Sequence, residues 1–254
     1  MGTGIRYEDI YATWTLAQTL TAAGSISVLY LLIVIKFLPS YMKNRKPYNL
    51  KSIIFLYNVV QVLLSAYNFY LFVAHTLQYG LFPSKCWYEA NMPMMKSILE
   101  PIMWYFIAKH LDLLDTIFFV LRKKFNQVTF LHVYHHFVMA TWGWIYYIYF
   151  PTDIYLFVAM INCFVHVIMY TYYALACLGP EYAKYIWWKK YLTTLQLTQF
   201  LLIICYLVYQ NKTSPCSSSD LRHWYGVGSI AIFFILFMNF YIRSYFTKKI
   251  AKDK

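Results

Sequence analysis

The sequence predicts an all-α integral membrane protein with seven transmembrane helices. Three observations carry that prediction. The chain is 61% apolar and only 13% charged over 254 residues, less charge than a soluble domain of this length shows. Its apolar residues come in long blocks of about twenty, the length that spans a bilayer as a helix. Its lysines and arginines cluster in the short segments between those blocks.

The seven blocks run roughly over 17–39, 52–77, 98–121, 128–150, 154–176, 187–209 and 224–246. Arg6, Glu8 and Asp9 precede the first, which is long enough to span and reads as a signal anchor rather than a cleaved leader. No linker, repeat or low-complexity segment divides the chain, so residues 1–254 are read as one membrane domain. An odd number of spans puts the termini on opposite sides. One side carries Lys43, Arg45, Lys46, Lys51, Arg122, Lys123, Lys124, Lys184, Lys189, Lys190, Lys248, Lys249, Lys252 and Lys254, fourteen in all; the other has five, Arg6, Lys85, Lys96, Lys212 and Arg222. The positive-inside bias therefore makes the C-terminus cytosolic and the N-terminus lumenal or external. The net charge of +12 is mostly this topology signal, which argues against nucleic acid as a partner. Cys86 and Cys216 fall in predicted non-cytosolic loops, where a disulfide is permitted but two free thiols are equally open. The sequon at Asn211 lies on the same side, close to the end of a span.

Ionisable residues inside a span cost roughly 2.5–3.5 kcal/mol each at mid-helix and usually mark a cavity or pathway. Four consecutive spans carry polar stripes at three-to-four-residue steps, hence along one face. In "KHLDLLDT" the stripe is Lys109, Asp112 and Asp115/Thr116; in "LHVYHH" it is His132, His135 and His136. In "NCFVHVIMYTYY" it is Asn162, His166, Tyr170 and Tyr173, and in "TTLQLTQF" it is Thr193, Gln196 and Gln199/Phe200. Turning these stripes toward one interior makes a polar chamber. With ~1.5 Å of rise per residue, His132 to His136 lie roughly 6–12 Å from the cytosolic surface, and an apolar extension lies behind them. Such a shape suits a long acyl chain with a soluble head group.

Three readings compete for the histidines. A metal-dependent lipid desaturase or hydroxylase needs more histidines in several boxes, whereas this chain has seven in total and one box. No metal is therefore expected. A seven-helix receptor is disfavoured because the third span ends "VLRKK" and the seventh contains no proline. Acid–base or nucleophilic chemistry needs no metal, since imidazole changes protonation near neutral pH and a carboxylate such as Asp115 can fix its tautomer.

In this order on successive helices, "KHLDLLDT", "HVYHH", "NCFVHVIMYTYY" and "TTLQLTQF" resemble the four signature boxes of the very-long-chain fatty acid elongases, over about residues 15–250. The resemblance implies a multi-pass endoplasmic reticulum enzyme in which six of seven helices surround an acyl-chain tunnel. It implies the condensing step of elongation, a 3-oxoacyl-CoA synthase reaction: long-chain acyl-CoA and malonyl-CoA give a 3-ketoacyl-CoA two carbons longer, CO2 and CoA. No cofactor is implied beyond these CoA thioesters. The implied partners are the two substrates, the bilayer and the other enzymes of the elongation cycle, with a homodimer left open. By motif, His135 would take the acyl chain covalently beside His132 and His136. His166 would assist decarboxylation and condensation, with Asn162 orienting it. Lys109, Asp112, Asp115, Tyr170, Thr193, Gln196 and Gln199 match the substrate chamber. Arg122, Lys123, Lys124, Lys184, Lys189 and Lys190 would hold the CoA phosphates at the cytosolic mouth. One departure is plain: the first box usually carries Glu where this chain has Asp112, one methylene shorter. Cys163, one helical step from His166, is the rival nucleophile, and packing is its expected role.

Overall fold

A computed structural model describes residues 16–82, 92–149, 154–213 and 221–247, and every regular element among them is helical. The first span consists of α1 (Leu16–Leu31), a π-helical turn (Leu32–Phe37) and the short α2 (Leu38–Met42). The wide turn precedes Pro39, and the Leu38 N–H reaches back to Ile33 O. A proline ring clashes with the carbonyl four residues before it, and a π turn relieves that clash without ending the helix.

The second span, α3 (Lys51–Tyr79), ends at Gly80, whose φ of 87° is a conformation only glycine adopts freely. The expected third span, 98–121, is not one helix. It is α4 (Met92–Leu111) followed by α5 (Leu113–Leu121), with a break at Asp112. There the Asp115 N–H bonds Asp112 O at 3.2 Å instead of Leu111 O, one residue further back. Then follow α6 (Phe130–Tyr149), α7 (Ile154–Leu178) and α8 (Lys189–Thr213). The last is α9 (Leu221–Ile242), closed by a second π turn, Arg243–Thr247. Asn211 lies in the last turn of α8, so the sequon begins inside the helix.

Five stretches among the described residues are long and apolar enough to cross a membrane: Thr21–Met42, Lys51–Tyr79, Ile154–Leu178, Lys189–Thr213 and His223–Phe246. Large apolar side chains such as Leu63, Leu77 and Ile235 face outward, as lipid-facing residues do. The chain is a multi-pass membrane protein.

Helix neighbours close on themselves. α3 packs on α4, α4 on α6, α6 on α9, α9 on α8, α8 on α7, and α7 returns to α3 in the most extensive contact of all. α1 lies outside this circuit against α6, and α2 against α5. Apolar clusters glue the circuit at three places. Phe72, Ile98 and Leu156 join α3, α4 and α7; Ile154, Ile203 and Leu207 join α7 and α8; Val138, Phe200 and Phe233 join α6, α8 and α9. Cys163 is buried in the first cluster.

The basic segments meet at one end of the bundle. The Tyr48 N–H bonds Leu121 O at 3.1 Å, and Lys123 Nζ bonds Lys43 O at 3.3 Å. Cys177 Sγ lies 3.3 Å from Lys51 O, and Lys190 sits over the rings of Tyr241 and Phe246.

Candidate active site

The break at Asp112 shapes a buried cluster. The last turn of α4 brings Lys109 and Asp112 together at i, i+3, with Nζ to Oδ2 at 3.0 Å and both residues only 3% exposed. From α7, His166 presents both ring nitrogens to Lys109 Nζ at 3.4 Å, and its Nδ1 lies 3.8 Å from Asp112 Oδ2. One turn on, Tyr170 Oη lies 2.8 Å from Asp112 Oδ1 and 2.8 Å from Asp115 Oδ2. A single hydroxyl proton serves one acceptor at a time, so Tyr170 donates to one or the other of the two carboxyl groups. Asp112 thus spends both oxygens inside the protein. A buried ion pair of this kind adds little net stability, but losing one partner costs about 3–5 kcal/mol.

The first box, the third box and one unexpected helix meet here. Gln61 of α3 donates its amide to Asp112 Oδ1, and to Tyr57 Oη at 3.2 Å. Tyr57 in turn donates to Leu111 O at 3.2 Å, the carbonyl left free by the helix break. Asn162 accepts from Tyr105 Oη at 2.9 Å rather than bonding His166, and Lys109 Nζ sits 4.9 Å over the Tyr105 ring. Asn162 therefore reaches the cluster through Tyr105.

The α6 histidines are built differently. The His132 and His136 rings, at i, i+4, lie 4.3 Å apart. His132 Nε2 meets Thr116 Oγ1 at 3.0 Å, and Thr116 meets Tyr30 Oη of α1 at 2.7 Å. His136 is buried. The His135 ring has no hydrogen-bond partner among the described residues; its neighbours are His136 at 5.4 Å, Phe233 at 5.1 Å and Phe237 at 6.2 Å. His135 and His136 both lie within electrostatic range of Lys109, and each also feels at least one of Asp112 and His166. Among the described residues no three His, Cys, Asp or Glu side chains converge as metal ligands.

The fourth box is not drawn into these clusters. Thr193 Oγ1 bonds Lys189 O and Tyr245 Oη, both at 3.4 Å, near the basic end. Gln196 Nε2 contacts Met169 Sδ at 3.6 Å, and Gln199 is buried with Oε1 unpaired. Lys124, Lys184, Lys189 and Lys190 are exposed, and Arg122 and Lys123 half-buried, at the basic end. Cys86 and Cys216 lie outside the described residues.

Sequence reading missed a buried seam on α3: Asn58, Gln61, Ser65, Asn68 and His75, at alternating steps of three and four interrupted by Phe72. Asn68 brackets the turn at Pro101, donating to Pro101 O and accepting from the Tyr105 N–H, both at 3.2 Å. His75 Nδ1 meets Ser97 Oγ at 2.9 Å. The spacing test applied to the other spans would have found this seam.

The fold and these clusters define a class: a multi-pass helical membrane protein that buries a lysine–carboxylate–histidine network beside a histidine trio. Residues 15–253 match the GNS1/SUR4 (ELO) family, and the chain belongs to it. It is similar to very long chain fatty acid elongase 4 of Homo sapiens, 41% identical over 234 residues, or 91% of this chain and 74% of the relative. The Mus musculus protein of that name is 40% identical over 243 residues, 95% of this chain and 77% of the relative. Very long chain fatty acid elongase 5 of Tachysurus fulvidraco is 36% identical over 247 residues, covering 95% and 81%.

Proposed function

We propose that this protein catalyses the condensing step of fatty acid elongation, joining a long-chain acyl-CoA to malonyl-CoA in the endoplasmic reticulum membrane. The family's relatives carry elongase names, which supports the acyl substrate. The protein spans the membrane seven times with its N-terminus lumenal and its C-terminus cytosolic. The closed circuit of six spans surrounds the acyl chain.

In this reading a neutral His135 nitrogen attacks the thioester carbonyl. The C–S bond breaks, CoA leaves as the thiol with the proton that the imidazole N–H gives up, and the acyl group rests on the imidazole. Malonyl-CoA then loses CO2, and the electrons of the broken C–C bond form an enolate. The enolate carbon attacks the acyl-imidazole carbonyl, the C–N bond breaks, and the departing imidazole takes up a proton from solvent, regenerating His135 with the 3-ketoacyl-CoA. Lys109 supplies positive charge, and with the His166 ring N–H supplies hydrogen-bond donors, where the enolate oxygen develops, a task for groups already fixed in place. Phe233, Phe237 and the apolar cluster around Phe200 and Val138 give the acyl chain a dry wall beside His135. The basic end, with Lys184, Lys189 and Lys190, attracts the CoA phosphates.

The observation that carries this reading is the contrast at the histidines: the His135 ring has no hydrogen-bond partner among the described residues, while Lys109 is paired with Asp112 and His166 lies against Lys109. Purified protein given long-chain acyl-CoA and malonyl-CoA without added metal should release CO2 and 3-ketoacyl-CoA. Loss of turnover on chelation, with near-stoichiometric iron in the preparation, would overturn it in favour of an oxygenase.

A further inference from the structure

The Lys109–Asp112–His166 cluster hangs on a helix break, and a break is a soft place on which to build fixed charges. Its free carbonyl, Leu111 O, is taken by Tyr57, and its carboxylate is held by Gln61. Both donors come from one face of α3, at i and i+4, and Gln61 Nε2 also bonds Tyr57 Oη at 3.2 Å. Gln61 is 1% exposed, and its Oε1 has no partner. The amide gives up an acceptor bond to keep its donor on the carboxylate, where turning over would set oxygen against oxygen.

We propose that Gln61, with Tyr57, is a positioning residue for the condensing half-reaction. It holds Oδ1 of Asp112, leaving Oδ2 to fix Lys109 against His166. Asp112 spends both oxygens on partners within the protein, one of them supplied by α3. Gln61 touches none of the α6 histidines, so acylation of His135 does not depend on it.

This inference rests on the condensation reading above, and its test separates the two. Full-length Gln61→Leu protein is given acyl-CoA alone, then malonyl-CoA, with the acylated and free protein followed by intact mass. We expect acylation within about twofold of the wild type and consumption of the acylated protein slowed by roughly 10- to 100-fold, the scale of a misplaced reacting group. Tyr57→Phe should show the same split more weakly. Gln61→Leu/Asp112→Asn should be no slower than Asp112→Asn alone, because one acts through the other. Equal loss of both half-reactions, or additive losses in the double variant, overturns the proposal. If the wild type acquires no acyl group, the covalent reading is what fails, and the same double-variant comparison on overall turnover decides the role of Gln61.

Discussion

Two polar regions sit side by side in this bundle and are organised oppositely. Around Asp112 the side chains are saturated with one another: Lys109, Gln61, Tyr170 and His166 converge on one carboxylate from α3, α4 and α7. On α6 the histidines touch mainly rings, and only His132 is tied by a hydroxyl, Thr116. A saturated network is rigid, and what it offers a substrate is its field and donors already fixed in place. A sparsely bonded imidazole has a nitrogen free for chemistry. In the proposed condensation, electrostatic preorganisation falls to the first region and bond-making to the second.

Breaking the saturated region should have the largest effect. Lys109→Met strands the Asp112 carboxylate, and we expect about 3–5 kcal/mol of lost stability together with lost turnover, seen as a lower Tm in detergent and no product. An unchanged Tm would mean the pair is more solvated than its burial implies. The hydroxyl chain to His132 comes next. Thr116→Val should lower kcat about tenfold, the size of one hydrogen bond, and Tyr30→Phe by a smaller factor, with KM little changed in steady-state assays. Replacing Lys184, Lys189 and Lys190 together by Ala should raise KM for CoA substrates about three- to tenfold at low salt and less at high salt, as for exposed charges. The smallest effect is expected at Ser97→Ala, which removes the partner of His75. About 1 kcal/mol of stability should go, with turnover intact, because the far end of the α3 seam serves packing.

Five of the seven expected spans and the polar stripes of the first three boxes were readable because lipid makes both conspicuous: apolar blocks show their length, and a Lys or Asp within one shows its cost. The uncharged seam on α3 was overlooked for the same reason. Asn58, Gln61, Ser65 and Asn68 carry no charge, so only their spacing gave them away. The break at Asp112 was not legible, since neither Gly nor Pro stands there and the bonds that stabilise it come from another helix. The π turn after Leu31 is similar: Pro39 hints at a disturbance, but not at a widened turn rather than an end. By spacing alone the three histidines of α6 are alike, and only the resemblance singled out His135. What distinguishes His135 from His132 is their surroundings on α5 and α9, which the spacing within α6 does not contain.

The central claim is that His135 carries the acyl group while the Asp112 network does not. Intact-protein mass spectrometry after incubation with a long-chain acyl-CoA alone tests it most directly. The account predicts a mass gain of one acyl group less a proton in the wild type and in Asp112→Asn, and no gain in His135→Ala. A gain that persists in His135→Ala would contradict it.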